Sequence, residues 1–146
     1  MGLLHAISTK APKGGSDPWI RKYIFPGGYL PTLSESIAAA ERSGIWVTDV
    51  EILRLHYAET LRHWSERFAV ERETARRLYD ERFCRMWEFY LAACEMAFRN
   101  GRLMVFQIQL AKRRDTVPLT RGYIAETEAS LIAENTSSDT IAGRAS

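Results

Sequence analysis

The sequence has no glycine-rich phosphate loop, no apolar run long enough to cross a bilayer, and almost no excess of charge. Its only glycine pairs, Gly14-Gly15 and Gly27-Gly28, do not form a G-x-G-x-x-G pattern between a strand and a helix, so no cofactor-binding loop is predicted. No segment approaches the roughly 20 apolar residues that a membrane-spanning helix needs. A formal net charge of +2 is too small to predict a nucleic-acid-binding surface.

Cysteine and histidine are also scarce. Cys84 and Cys94 are ten residues apart in one predicted helix, which separates them by roughly 15 Å and excludes a disulfide between them. We interpret them as reduced core residues of a cytoplasmic protein. His56 and His63 are about 10 Å apart along a helix axis, too far to bind one metal ion together. Without a Cys/His cluster at zinc spacing, no metal site is predicted.

What is present alternates between strands and helices. The apolar run Gly2–Ile7 predicts a buried strand, and a loop follows over residues 8–16. Alternation of apolar and polar residues over Trp46–Ile52 predicts a half-buried strand. The apolar and amide-bearing segment Leu103–Leu110 is typical of a strand covered on both faces. Three strands with this much helix indicate an α/β domain with a thin sheet.

The helices are marked by their caps and stripes. Pro18 suits a first helical turn, and Thr32 with Glu35 predicts a capping box for a helix that ends at Gly44. Two long helices follow, carrying the apolar faces Tyr57, Leu61, Trp64, Phe68 and Tyr79, Phe83, Met86, Trp87, Tyr90, Leu91, Cys94, Phe98. Aromatic residues nearly vanish past Arg114. We therefore predict a partial α/β domain over residues 1–114 and a mostly disordered tail over 115–146.

Charged residues are spaced for pairing on a helix surface. Glu73 with Arg77, Glu81 with Arg85, and Glu95 with Arg99 are at i, i+4, which predicts a solvated face. A looser basic group with the chemistry to meet anionic lipid headgroups consists of Lys10, Lys13, Arg21 and Lys22.

Two polar side chains stand where an α/β sheet collects its ligands. His5 is expected near the carboxyl end of the first strand, where an imidazole holds an anion or relays a proton. Tyr57 is expected at the start of a helix just after a strand, where its phenol donates one directed hydrogen bond. A structural histidine and a packing tyrosine are the alternatives that the residues alone leave open.

Between about Leu3 and Lys112 the chain contains, in this order, the segments LLHAI, DPWIRKYIFPGGYLP, LHYAETLRHW, YDERFCRMWEFYLAACEMAF and VFQIQLAK. Together these five segments resemble the C-terminal part of the cyclopropane-fatty-acyl-phospholipid synthase family, which includes enzymes like the mycolic acid cyclopropane synthases. The resemblance implies the C-terminal half of a Rossmann-like S-adenosylmethionine-dependent methyltransferase fold, with a long helical insertion before the last strand. The cofactor site of such enzymes lies in the N-terminal part, so no cofactor-binding residue is expected in this chain.

The resemblance also implies a reaction. Enzymes of this family are S-adenosylmethionine-dependent methyltransferases that add a methylene across a cis double bond of phospholipid acyl chains, with bicarbonate as the base. The implied partners are acyl chains at the inner membrane surface, reached from the cytoplasm, and the complete enzyme is a candidate homodimer. We expect the isolated chain to be inactive. A related lipid methyltransferase that leaves a methyl branch, and a non-catalytic remnant or interaction module, are the alternatives.

Three residues match the family's bicarbonate site. The family holds this anion through a cysteine, a glutamate, a histidine, a tyrosine and the backbone of an isoleucine. His5, Ile7 and Tyr57 match the last three in this sequence. The resemblance thus implies bicarbonate binding by all three and catalytic roles for His5 and Tyr57. The cysteine and the glutamate belong to the family's N-terminal portion, and neither Cys84 nor Cys94 matches that cysteine.

Overall fold

A computed structural model describes residues 1–10 and 17–142 of the chain. In chain order its elements are β1 (Gly2–Thr9), α1 (Pro18–Tyr23), α2 (Leu33–Arg42), β2 (Trp46–Ile52), α3 (His56–Leu78), α4 (Glu81–Asn100), β3 (Leu103–Ala111) and α5 (Gly122–Ala142). The chain divides between residues 113 and 114 into two compact units. The first unit carries the sheet and the helices α1 to α4.

The last strand lies in the middle of the sheet. The strand order is β1-β3-β2, and β3 is antiparallel to both neighbours. Thr9 is opposite Leu103 at one end of the β1–β3 pair, and Gly2 is opposite Leu110 at the other. The three predicted strands are therefore confirmed as one sheet. No fourth strand pairs with β1 within residues 1–10 and 17–142.

The first strand is longer than the apolar run predicted. Ser8 and Thr9, expected to begin a loop, continue β1 because they pair with Met104 and Leu103 of β3. His5 therefore lies in the middle of β1, and its predicted position near the carboxyl end of the strand is wrong. The rest of the predicted loop, residues 11–16, lies outside the described part of the chain.

The core forms where α3 and α4 pack together against one face of the sheet. Its buried members are Ala58, Leu61, Tyr90, Leu91, Phe98 and Val105. Side chains alternate along a strand, so Phe106 points away from Val105 to the opposite face. Both side chains are almost fully buried. The prediction that this strand is covered on both faces is confirmed.

The helix ends follow the sequence closely. The capping box is present: the Thr32 hydroxyl accepts from the Glu35 amide, and the Glu35 carboxylate accepts from the Thr32 amide at 2.8 Å. Gly44 follows α2 with φ of 70°, a left-handed conformation that glycine adopts without strain. At Gly101, after α4, a Cβ would lie 2.4 Å from the Ala97 carbonyl oxygen. A glycine is therefore required there.

Two of the three predicted ion pairs are replaced by others. Glu95 does pair with Arg99, at 2.8 Å. Glu73 instead pairs with Arg76, one residue closer than predicted. The carboxylate of Glu81 crosses to Arg72 of α3, at 2.6 Å, because the two helices run side by side. A spacing rule for one helix cannot anticipate a partner on the next.

The second unit contains α5, which the sequence did not predict. Residues 115–146 were expected to be mostly disordered, whereas the structure has a helix over Gly122–Ala142. The segment Glu126–Glu134 contains three glutamates, two alanines and one leucine, which favour helix even where no aromatic residue marks a packed face. No helix in the described part of the chain is long and apolar enough to span a membrane.

Leu61 of α3 offers a direct test of the core. Its side chain is fully buried, whereas Leu78 on the same helix is 73% exposed. We expect Leu61→Ala to lower the free energy of unfolding by about 2–5 kcal/mol, since it removes buried methyl groups and leaves a cavity. Leu78→Ala should change it by less than about 0.5 kcal/mol. Urea denaturation followed by circular dichroism measures both. Equal losses would contradict this core.

Candidate functional site

The first unit contains an apolar cavity of about 570 Å³. It lies between α4, the segment that includes α1, and the end of β1. Its lining consists of Ile7, Thr9, Asp17, Trp19, Ile20, Phe25, Gly28, Tyr29, Leu30, Tyr57, Phe89, Tyr90, Ala93, Cys94, Ala97, Phe98 and Leu103. A cavity of this size and composition fits a long apolar ligand.

Aromatic rings form much of the cavity wall. Tyr57 is tilted against Phe98 with ring centroids 5.1 Å apart. Trp19 meets Phe89 edge to face at 4.7 Å. Edge-to-face and tilted arrangements leave ring faces turned in several directions, and a ring face attracts a positive charge. The wall can therefore stabilise a cation as well as an apolar chain.

A tight turn after α1 brings further side chains to the cavity. Gly27 has φ of 75°, and the Gly28 amide donates to the Phe25 carbonyl at 2.9 Å. This turn places Phe25 and Gly28 at the wall, followed by Tyr29. The Tyr29 hydroxyl then donates to Glu35 of the capping box at 2.8 Å. The cap of α2 thus anchors one side of the cavity.

Three ionisable groups that line the cavity, those of Tyr57, Tyr90 and Cys94, are held in their neutral forms. Burial raises the pKa of Tyr57, and nearby Cys94 raises it further. Burial also raises the pKa of Tyr90 to about 12, with smaller contributions from Cys94 and Tyr57. The pKa of the Cys94 thiol is raised to about 11, again chiefly by burial. At neutral pH these groups are two phenols and a thiol, which donate hydrogen bonds and carry no charge.

Asp17 is a cavity-lining residue whose carboxylate has a structural role. It caps α1 by accepting from the amides of Trp19 at 2.9 Å and Ile20 at 3.3 Å. These bonds turn the carboxylate toward the start of the helix, where the backbone dipole favours a negative charge. The acid that caps α1 also fixes Trp19 at the cavity wall.

The structure brings two of the three predicted site residues together. Ile7 and Tyr57 both line the cavity. His5 shares the face of β1 with Ile7, because side chains alternate along a strand, but it is exposed and does not line the cavity. Tyr57 lies at the start of α3, as predicted. The roles assigned to His5, Ile7 and Tyr57 remain predictions.

The cross-strand neighbour of His5 orients its imidazole. Gln107 is directly opposite His5 in the β1–β3 register. Its side-chain Nε2 lies 3.2 Å from Nδ1 of His5. An amide nitrogen is a donor, so this contact favours the tautomer in which Nδ1 accepts and the ring proton is on Nε2. That proton is then available to a ligand.

The described residues fit the family's two small molecules unequally. They contain no glycine-rich turn between a strand and a helix, so they do not fit S-adenosylmethionine. Of the three residues matched to a bicarbonate site, Ile7 and Tyr57 line the cavity, whereas His5 is exposed outside it. The part of the chain that the structure describes holds no cluster of three or more His, Cys, Asp or Glu arranged for a metal ion.

Tyr90 and Cys94 are cavity residues that sequence reasoning did not assign to a site. Both belong to the broad apolar face of α4 that the periodicity predicted. One face of that helix serves both the core and the cavity, and helical spacing does not separate the two. Cys84, by contrast, is fully buried away from the cavity lining. The available signal was spacing: Cys94 is four residues after Tyr90 and Ala97 is three residues after Cys94, which places all three on the same side of the helix.

Comparison with known proteins gives the family. The family model described as "Mycolic acid cyclopropane synthetase" matches residues 1–108. The chain therefore belongs to the mycolic acid cyclopropane synthetase family. The resemblance inferred from the five sequence segments is confirmed.

Three relatives show which proteins this sequence is similar to. The chain is 49% identical over 96 residues to the tuberculostearic acid methyltransferase UfaA1 of Mycobacterium tuberculosis, covering 64% of this chain and 22% of that protein. It is 42% identical over 113 residues to a probable fatty acid methyltransferase of Pseudomonas putida, covering 74% and 29%. It is 37% identical over 110 residues to the cyclopropane-fatty-acyl-phospholipid synthase of Escherichia coli K12, covering 75% and 28%. The chain thus spans less than a third of each relative.

Solved structures give the fold. The cyclopropane synthase MmaA2 of Mycobacterium tuberculosis matches with a TM-score of 0.68 and 28% identity, over 75% of this chain and 43% of its own. The mycolic acid cyclopropane synthase CmaA1, complexed with SAH and CTAB, matches with a TM-score of 0.66 and 29% identity, over 74% and 42%. The predicted fold class, the C-terminal half of a Rossmann-like S-adenosylmethionine-dependent methyltransferase fold, is confirmed.

The hydrogen bond from Gln107 predicts the tautomer of His5. At alkaline pH, ring nitrogen chemical shifts from NMR should place the proton on Nε2. Gln107→Glu should move it to Nδ1, because a carboxylate accepts where the amide donates. Gln109→Glu, two residues along β3, is the matched control and should leave His5 unchanged. A wild-type His5 protonated on Nδ1 would contradict the bond.

Proposed function

We propose that this chain is the C-terminal part of an S-adenosylmethionine-dependent methyltransferase that modifies a cis double bond of phospholipid acyl chains. In this proposal the residues of this chain hold the acyl-chain substrate. The methyl donor binds to residues outside this chain, and we expect the isolated chain to be inactive. The family supports the class of reaction, and the cavity supports the substrate.

The apolar cavity is the observation that carries the proposal. Its 570 Å³ suit a stretch of acyl chain, and its wall is almost entirely hydrocarbon and aromatic. A water-soluble substrate would need several polar partners, whereas the polar side chains of the lining are three phenols, one thiol, the Thr9 hydroxyl and the Asp17 carboxylate, which already caps α1. The solved complex of CmaA1 with CTAB, a molecule with one long alkyl chain and a cationic head, agrees with such a ligand.

The aromatic wall suits the charge that the reaction creates. Methyl transfer to a carbon–carbon double bond converts two neutral carbons into a carbocation. The ring faces of Trp19, Tyr57 and Phe98 stabilise positive charge without acting as nucleophiles. Because the buried phenols and the thiol stay neutral at physiological pH, none of them captures the cation as an anion would. The cavity also keeps water away from it.

His5 and Tyr57 are proposed to hold the base that removes the proton. A neutral Tyr57 hydroxyl and the Nε2 proton of His5 are donors of the kind that bind a small anion such as bicarbonate, and the backbone of Ile7 adds a third group. The raised pKa of Tyr57 keeps its proton in place for this purpose. His5 does not line the cavity. The anion is therefore proposed to bind at the edge of the cavity near β1, between His5 and Tyr57.

A methyl branch in place of a ring is the second candidate product. Two of the relatives described above are named methyltransferases, including the tuberculostearic acid methyltransferase at 49% identity. Both products share the same first step, so the cavity suits either. The ring and the methyl branch differ only in how the carbocation is converted into a neutral product.

Filling the cavity tests whether it binds acyl chains. We expect Ala97→Trp, on the cavity side of α4, to weaken binding of a monounsaturated fatty acid at least tenfold, because the indole occupies the acyl volume. Isothermal titration calorimetry of the chain measures the affinity.

Ala92 provides the matched control on the same helix. It is exposed and does not line the cavity, so Ala92→Trp adds the same side chain without filling it. Its affinity should equal that of the wild type. Wild-type chain that binds no fatty acid, or equal losses in both variants, would contradict an acyl-binding cavity.

The reaction requires a longer chain that carries the cofactor-binding half. In that protein, His5→Ala and Tyr57→Phe should lower kcat by about 10²-fold or more while leaving the affinity for S-adenosylmethionine unchanged, since both act on the proton-removal step. NMR of the lipid product separates a cyclopropane ring from a methyl branch. Unchanged turnover in both variants would refute their roles. Binding of S-adenosylmethionine to the isolated chain would refute the proposal that the methyl donor binds to residues outside this chain.

A further inference from the structure

A groove of about 370 Å³ lies on the outer side of the cavity wall. It is lined by Trp19, Tyr23, Arg82, Arg85, Met86 and Phe89. Trp19 and Phe89 line both the groove and the cavity, so their edge-to-face pair is the partition between the two spaces. The cavity and the groove are therefore adjacent, with one pair of rings between them.

The groove is positively charged because its lining includes two arginines of α4 and no acidic residue. Glu81 and Glu88 both bind Arg72 of α3, each at 2.6 Å. Arg82 and Arg85 lie on the groove side, are exposed, and form no salt bridge or side-chain hydrogen bond within the described residues. Arg72 lowers the pKa of the Glu81 carboxyl most, and Arg85 lowers it less. The lining of the groove contains both arginines and no acidic residue.

Helix α1 adds a third cation and an aromatic ring to the same place. The Lys22 ammonium lies 5.1 Å from the centre of the Tyr23 ring, and Tyr23 lines the groove. Trp19 is four residues earlier on the same side of α1. Tryptophan and tyrosine beside cations are typical of protein surfaces at the membrane interface, where the rings sit at headgroup level.

We propose that this groove binds the phosphate of an anionic phospholipid in a bilayer while the acyl chain of that lipid enters the cavity. Arginine binds phosphate oxygens through two parallel N–H donors, and Arg82 and Arg85 are one helical turn apart on the same side of α4. The inference deepens the proposed function by naming the surface that meets the membrane. An acidic protein is the less suitable occupant, because Trp19 and Tyr23 supply ring surface that acidic side chains do not use.

Vesicle binding tests the proposal on the chain itself. Wild-type chain should sediment with vesicles of phosphatidylglycerol and phosphatidylcholine, and less with phosphatidylcholine alone. Arg82→Gln/Arg85→Gln should weaken binding to the anionic vesicles roughly 20-fold, since each arginine at such a surface contributes about 5-fold. Tyr23→Ser, which leaves both arginines, should weaken it roughly 2- to 5-fold.

A variant of α3 with equal loss of charge is the control. Arg67 and Arg77 are exposed and do not line the groove. Arg67→Gln/Arg77→Gln should bind anionic vesicles within about 2-fold of the wild type, because charges outside the contact surface are largely screened. Circular dichroism establishes that each variant is folded. Equal loss in the two double variants, or no binding by the wild type, overturns the proposal.

Two further measurements separate the alternatives. Soluble poly-glutamate should compete poorly with vesicles at matched ionic strength. If it competes fully and Tyr23→Ser binds vesicles normally, the groove is a docking site for an acidic protein and the proposal is wrong. Ala97→Trp should still bind vesicles, since it fills the cavity and leaves the groove intact. If the chain binds vesicles but no fatty acid, the acyl-binding role of the cavity is refuted, and the membrane-binding role of the groove stands.

Discussion

The structure depends on the pairing of β3 with both β1 and β2. This central strand joins residues near the start of the chain to residues near 110 and supplies Val105 to the core on one face of the sheet. Because β3 aligns β1, Ile7 reaches the cavity and His5 meets Gln107. The same alignment lets α3 and α4 pack across the sheet and bring Tyr57 to Ile7. Without β3, the two outer strands have no shared partner.

Local structure was largely predictable because its causes are local. The capping box of Thr32 and Glu35 and the end of α4 at Gly101 each depend on a few neighbouring residues. The strand β2 was predicted, but its burial does not alternate, and its register with β3 shifts between Val47 and Asp49. The order of the strands was not predictable, since nothing within β3 states which strands it separates. The end of β1 was misplaced for the same reason: Ser8 and Thr9 are held in the sheet by partners almost a hundred residues away.

The candidate site shows the same division. The position of Tyr57 at the start of a helix made it a candidate with a packing tyrosine as the alternative, and the family resemblance singled out both Tyr57 and Ile7, which line the cavity. Cys94 and Tyr90 were seen only as members of an apolar stripe, because a helix face does not reveal where a core ends and a cavity begins. The partner of Glu81 was also misassigned, since Arg72 approaches from a neighbouring helix. Residues act at this site through contacts between elements, and spacing within one element does not encode them.

The central position of β3 has a consequence during synthesis. Thr9 pairs with Leu103, so β1 leaves the ribosome almost a hundred residues before its partner. At about 5–20 residues per second, β1 and β2 wait for seconds with unpaired backbone groups. Helices α3 and α4 are made in that interval and can pack together first, as local contacts form faster than distant ones. We therefore expect the α3–α4 hairpin to form before β3 completes the sheet of this segment.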